Sequence, residues 1–145
     1  MMDSTDDTEE SAPRIIQPEG WPRPRGYSNG MAARGEFLAI AGQIGWDERE
    51  QIVDDAFTPQ FRKALENVVA VVRAAGGEPQ HIIGLTIYVT DKRVYIDEIV
   101  QIGEAYRAVI GKHFPSMALV EVSALLEPRA KVEIQGLAVL PAKGE

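Results

Sequence analysis

FPSMALVEV, at residues 114–122, and KVEI, at residues 131–134, are the two most informative stretches of this 145-residue sequence. Both are short and rich in apolar residues, which is typical of strands in a folded domain. We predict that they belong to the two closing strands of the chain, over residues 117–123 and 130–140. The segments that precede them indicate what these strands pack against.

The chain upstream begins with a predicted hairpin. Its arms cover residues 27–33 and 36–43, and Arg34 and Gly35 form the turn between them. Both faces of the second arm are largely apolar, so we expect this strand to be covered on both sides.

Two helices and one further strand lie between the hairpin and the closing strands. Thr58 followed by proline predicts the N-cap of a helix, and a pair of glycines at 76 and 77 ends it. Alternating apolar residues predict a strand over residues 81–90. Helical spacing of apolar residues predicts a second helix over about residues 94–110.

This order of elements predicts an α+β fold, with one mixed sheet and both helices on a single face. The other face still carries apolar side chains, such as Leu137 and Val139 of the last strand. A lone subunit has nothing left to cover them, so we expect the chain to form an oligomer.

Charge is distributed unevenly along the chain, whose formal net charge is −7. Residues 1–13 contain no Lys or Arg and five acidic side chains, Asp3, Asp6, Asp7, Glu9 and Glu10. We predict a disordered acidic tail over residues 1–13, for which a docking arm is the alternative, and a single domain over residues 14–145. Because that domain is close to neutral, we expect no nucleic-acid partner.

Composition also bears on cofactors, membrane association and location. The chain has no cysteine and two histidines, which are far apart and lack metal-ligand spacing, so we expect no metal and no cofactor. No apolar run approaches the ~20 residues of a membrane span, and no secretory signal is visible. We therefore expect a cytoplasmic protein without a membrane partner.

Together with GYSNG at residues 26–30 and AGQIGWD at residues 41–47, the two strand motifs resemble the RidA/YjgF family of small trimeric proteins. The resemblance covers about residues 17–140. It implies a chorismate-mutase-like fold, a homotrimer with a central barrel, and a small-molecule ligand in each cleft between subunits. Family members hydrolyse reactive enamines and imines to ketones and ammonia, and some have been described as ribonucleases.

The resemblance implies two catalytic residues. Glu133 matches the glutamate that positions or activates the attacking water, and Tyr27 matches a tyrosine whose phenol can bond a substrate oxygen. The alternatives are structural: Tyr27 packs against a neighbouring segment at a strand start, and Glu133 pairs with Lys131 or Arg129.

Met117 stands where the family has an arginine that grips the substrate carboxylate. Loss of such a charge-assisted pair costs roughly 3 kcal/mol of substrate binding, so we expect a less acidic or more hydrophobic ligand. Ala41 replaces a frequent serine of the family, and the main chain of Met117 and Leu119 remains available to a ligand. Arginines that can replace the missing cation are Arg129, which we favour, and Arg23, Arg25 and Arg34.

Three functions remain open from the sequence. The first is a hydrolase, an enamine or imine deaminase with altered substrate choice. The second is a trimeric protein that binds a small ligand without chemistry. A ribonuclease or translation inhibitor ranks last, because the domain is not basic.

Overall fold

The structure, a computed structural model, describes residues 12–142. Its strands are β1 (Arg14–Ile16), β2 (Gly30–Ala32), β3 (Glu36–Ile44), β4 (Ile82–Val89), β5 (Ser116–Glu121) and β6 (Val132–Leu140). Its helices are α1 (Phe57–Ala74), α2 (Lys92–Asp97) and α3 (Ile99–Val109), with a 3-10 turn at Pro79–His81. The predicted acidic tail lies outside the described residues except for its last two positions.

Four strands form one mixed sheet in the order β3-β6-β4-β5. β4 pairs with β5 in parallel, and β6 pairs antiparallel with both β3 and β4. The parallel pair is possible because α2 and α3 connect β4 to β5 as a crossover. The predicted α+β class with a mixed sheet is confirmed.

The predicted hairpin is wrong. β2 pairs with β1, with Ile16 opposite Gly30, and β3 pairs with β6 instead. The chain between β2 and β3 changes sheets at Gly35, whose φ is 150° and whose Cα lies against the Leu140 carbonyl. A Cβ there would lie 1.8 Å from that oxygen, so glycine is required for the close approach.

Helix α1 confirms the predicted first helix but begins differently. Ala56 is its N-cap, and the Asp54 carboxylate accepts a hydrogen bond of 2.7 Å from the Ala56 N–H. Thr58 therefore lies inside the helix, where its hydroxyl donates to Glu98 at 2.9 Å. The end is as predicted, since Gly76 has a positive φ of 91° just after the helix.

The predicted second helix is divided in two. Glu98, with φ −101° and ψ 19°, ends α2 and begins α3. The Asp91 carboxylate caps α2 by accepting from the Arg93 N–H at 2.9 Å.

One apolar core lies between the helices and one face of the sheet. On α1 the buried residues recur at intervals of three and four, and on β4 and β6 they alternate. Fully buried examples are Leu65, Val68, Val72, Ile82, Val89, Val132 and Ile134. Each such side chain contributes roughly 1.5–3 kcal/mol on leaving water. The helices on a single face are therefore as predicted.

The opposite face of the sheet, here called the open face, has no helix over it within residues 12–142. Phe37 on β3 is 72% exposed and Leu137 on β6 is 39% exposed, so apolar side chains do remain there. Val139 lies on the same face as Leu137, opposite Phe37 of β3, but it is already fully buried in the single chain. The expected cover on both sides of β3 is absent from the described chain.

The described helices include none with the length and apolar character needed to cross a bilayer.

Candidate functional site

A cavity of ≈ 470 Å³ lies between α3 and the β4–β5 pair. Its walls come from α3, from the aromatic residues that flank the helices, and from the segment that precedes β2. Three of the sequence-predicted residues, Tyr27, Met117 and Leu119, line it together. We consider it the candidate site because it brings these three residues together in one hollow with a mostly apolar lining.

Ser28 explains why Tyr27 reaches this cavity. Its buried hydroxyl donates to the Phe114 carbonyl at 2.5 Å, and its N–H donates to the Pro115 carbonyl at 3.1 Å. These bonds fasten the GYSNG segment beside the start of β5. Tyr27, 42% exposed, is thereby held at the cavity.

Met117 and Leu119 belong to the same face of β5. They pack against the core on the helix side, whereas Ala118 and Val120 alternate to the open face. The cavity therefore has an apolar wall where a guanidinium would otherwise project. β5 is also an edge strand of the four-stranded sheet; Ser28 bridges its first residue, Ser116, and beyond that bridge no described strand pairs with its outer edge.

Two arginines line the cavity, Arg25 just before Tyr27 and Arg107 on α3. Arg25 was one of the cations considered from the sequence, but Arg107 was not. A signal for it exists in the helical spacing: Gly103 lies one turn earlier and leaves room for the Arg107 side chain. A Cβ on Gly103 would lie 3.4 Å from the guanidinium.

Arg129 does not line this cavity. Its guanidinium binds Asp55 at 2.8 Å, and this hydrogen bond and charge hold the pKa of the Asp55 carboxyl below its ordinary value. The same contact raises the pKa of Arg129. The single chain therefore does not bring Arg129 to Met117, so its role as the replacement cation stays a prediction without geometric support.

Glu133 lies on the open face, opposite Ile44 of β3 and Tyr88 of β4. Its carboxylate lies over Gly42, where a Cβ would come within 2.7 Å of Cδ. Ala41, exposed, is the neighbour of Gly42 in β3. Glu133 and Ala41 thus lie on the face of the sheet opposite to Tyr27, and one chain does not bring the two groups together.

The structural alternative for Glu133 is not supported either. Arg129 is bound to Asp55, and the Lys131 ammonium donates to the Asp55 carbonyl. Both cations that could pair with Glu133 are directed to the N-terminal end of α1. The Glu133 carboxylate is therefore left half-buried on an uncovered apolar face, where it is available to a neighbour.

Residues 12–142 bring no three His, Cys, Asp or Glu side chains into an arrangement that could hold a metal ion. His113 instead bonds the Ile82 carbonyl through Nε2 at 2.6 Å, and His81 accepts from the Glu78 N–H through Nδ1 at 2.9 Å. Both histidines have structural roles beside β4.

The model of the Endoribonuclease L-PSP family matches residues 22–140, most of the chain. A RutC family protein of Pyrococcus horikoshii is 35% identical over 126 residues, which cover 86% of this chain and 95% of that protein. A 2-iminobutanoate/2-iminopropanoate deaminase of Salmonella typhimurium is 32% identical over 133 residues, covering 90% of this chain and 93% of the enzyme.

A solved structure of a Rid family protein is similar to this chain as well. The chain superposes on a protein of the conserved Rid family from Yersinia pestis with a TM-score of 0.79 and 27% identity. The match covers 89% of this chain and 99% of that one. The similarity thus spans both the strand motifs and the cavity.

Proposed function

Because this chain belongs to the RidA/YjgF family, we propose that it hydrolyses an imine or enamine in a cleft between subunits, with a substrate choice altered at Met117. The observation that carries the proposal is the placement of Tyr27 beside Met117 in one cavity, with Glu133 on the opposite face. Similarity to a 2-iminobutanoate/2-iminopropanoate deaminase supports the reaction class.

The reaction requires a proton donor, a held substrate and a directed water. An enamine is first protonated on carbon, which gives the imine. The water oxygen then bonds to the C=N carbon while both water protons pass to the nitrogen, and the C–N bond breaks so that ammonia leaves and the carbonyl forms. Tyr27 would bond a substrate oxygen, and the Glu133 carboxylate would accept a proton from the water.

A neighbouring subunit supplies the missing half of this arrangement. Glu133 lies on the open face, and Tyr27 lies on the helix side of the same chain. A homotrimer that closes its open faces into a central barrel would bury Phe37 and Leu137 and would present Glu133 to the neighbour's cavity. Assembly and catalysis therefore depend on the same surface.

One observation favours a second function. Met117 removes the guanidinium that would hold a small acid at this position, so the protein could bind a small ligand without hydrolysing it. A ribonuclease is less favoured, because the domain is close to neutral and has no excess of basic residues to bind a polyanion. We place the protein in the cytoplasm, without nucleic-acid or membrane partners and without a cofactor.

Imine lifetime tests the proposal. An amino-acid oxidase generates imines from a panel of amino acids, and a trapping amine measures how much imine remains. Wild-type protein should shorten the lifetime of at least one imine, and Glu133→Gln and Tyr27→Phe should each reduce this effect at least ~100-fold. If no imine in the panel is consumed faster than in buffer, the hydrolase is excluded and the binding protein is favoured.

A further inference from the structure

We propose that the cavity binds acids with a large apolar side chain, an aromatic one above all, and that Arg25 and Arg107 hold the carboxylate in place of residue 117. As an assignment of the substrate class, this inference rests on the proposed function. The proposal that such acids bind here does not depend on hydrolysis, because it is argued only from the residues that line the cavity.

The size and lining of the cavity indicate a large apolar group. Its ≈ 470 Å³ lies within the range of roughly 300–1,000 Å³ typical of sites for drug-sized ligands. An imino acid of three or four carbons would leave much of that space unfilled. The deeper wall is formed by Phe61, Ile87, Ile102, Phe114 and Leu119, all apolar.

The charge at the cavity indicates an anion. Arg25 and Arg107 are its only charged lining residues, and no carboxylate lines it. The ion pairs of the described residues engage other arginines, at positions 62, 73 and 129. The two cations at the cavity are thus uncompensated, and an anionic ligand would make charge-assisted hydrogen bonds with them.

Gly103 and the guanidinium of Arg107 lie side by side at the cavity. The glycine lines the cavity one helical turn before Arg107, and the Nη1 atom lies 3.4 Å from where its Cβ would be. Glycine inside a helix costs roughly 1 kcal/mol relative to alanine. Here it leaves open space at the cavity wall beside the Arg107 guanidinium, which a side chain larger than alanine would fill.

Met117 has a place in the same arrangement. An arginine at 117 would put a third cation into the apolar wall of β5, where burial of an unpaired charge is unfavourable. A methionine there adds adaptable apolar surface for a ring. The carboxylate-binding function has therefore moved from β5 to the cavity rim, and the space at residue 117 accommodates the side chain of the ligand.

Calorimetric titration of the full chain tests this with three probes: phenylpyruvate, pyruvate and the uncharged amide of phenylpyruvate. Phenylpyruvate should bind at least ~10-fold more tightly than either of the others, because only it offers both the ring and the charge. The Arg25→Met, Arg107→Met double variant should lose at least ~10-fold in affinity for phenylpyruvate. Arg62→Met, which removes an exposed arginine on α1, is the matched control and should bind as the wild type does.

The outcomes separate this inference from the hydrolase. If the folded double variant keeps its affinity, or if pyruvate or the amide binds as tightly as phenylpyruvate, the inference is overturned even where imines are hydrolysed. Tight, arginine-dependent binding of phenylpyruvate supports it even where no imine is hydrolysed. Gly103→Leu, which displaces the Arg107 side chain but keeps its charge, should weaken phenylpyruvate binding, and unchanged binding would count against the placement of Arg107.

Discussion

Residue by residue, the sequence motifs predicted part of the site and missed part of it. The resemblance of GYSNG and FPSM to motifs of the family implied that Tyr27 and Met117 belong to one site, and the structure brings them into one cavity. Period-2 alternation puts Glu133 and Val132 on opposite faces of β6, so the separation of Glu133 from the core could be predicted. Arg107 was missed although Gly103 lies one helical turn before it, because a helix pattern alone does not show which exposed residue faces a cavity.

Met117→Arg is the substitution that most directly probes the altered substrate choice. We expect it to raise hydrolysis of the imine of alanine, because a guanidinium at this position can form two charge-assisted hydrogen bonds with a small carboxylate. The gain should be at least ~10-fold in kcat/KM, measured by imine trapping. Met117→Leu, which keeps the position apolar, should show no gain. A folded Met117→Arg trimer without a gain would mean that the cavity has changed beyond this one side chain.

At the level of helices and strands, local signals predicted the elements better than their pairing. Apolar spacing was sufficient for α1 and β4, whose boundaries differ from prediction by only a residue or two. The hairpin prediction was wrong because β2 pairs with β1 and not with β3. Gly35 is needed where the backbone passes close to the Leu140 carbonyl, and it does not form a hairpin turn. Nonlocal pairing of this kind is not encoded in a turn sequence.

Gln60 is the polar side chain that joins α1 to the segment before it and to the segment before β6. It is fully buried, donates to the carbonyls of Asp54 and Arg129, and accepts from the Lys131 N–H at 2.8 Å. Gln60→Leu would leave these backbone groups unpaired, so we expect a loss of at least about 2 kcal/mol in the free energy of unfolding. Urea denaturation measures it, with the exposed Gln101→Leu as control. Equal stability of the two variants would show that water replaces these bonds.

His81, in the 3-10 turn that leads into β4, should make stability depend on pH. Burial lowers its pKa below the ordinary 6.5, and the nearby His113 adds to this while Glu78 opposes it. The neutral ring is favoured in the folded state, so its contribution to stability is fully present above the unfolded pKa. It is lost as pH falls from there through the folded-state pKa.

We therefore expect wild-type stability to decrease between about pH 7 and pH 5, and His81→Asn to decrease less. The asparagine oxygen can accept the Glu78 N–H as Nδ1 does, and it does not titrate. Chemical denaturation at several pH values measures the difference. Parallel pH curves for the two proteins would exclude His81 as the titrating group.

For the whole molecule, the open face decides the state of association. Phe37, Val120 and Leu137 remain exposed there in the single chain, and a homotrimer would bury them. The sequence predicted this surface from the excess of apolar residues on β6, but the threefold arrangement rests on family resemblance, since no single chain shows its own symmetry.

Light scattering should give about three times 15.9 kDa for the wild type. Leu137→Lys should shift the mass toward the monomer, because it places a charge in the proposed barrel. Leu126→Lys changes a leucine that is 100% exposed in the loop between β5 and β6, and it should leave the mass unchanged. A wild-type protein that is monomeric at micromolar concentration would exclude the trimer.

Complementation between two inactive variants tests the central claim most directly, that each site combines Tyr27 of one subunit with Glu133 of another. Tyr27→Phe and Glu133→Gln are purified separately and as a co-expressed equal mixture, and each is assayed on the imine that the wild type hydrolyses best. In the mixture half of the chains keep Tyr27 and half of the neighbours keep Glu133. The account predicts about a quarter of wild-type activity in the mixture and almost none in either variant alone. A mixed trimer as inactive as its two components would contradict a site shared between subunits.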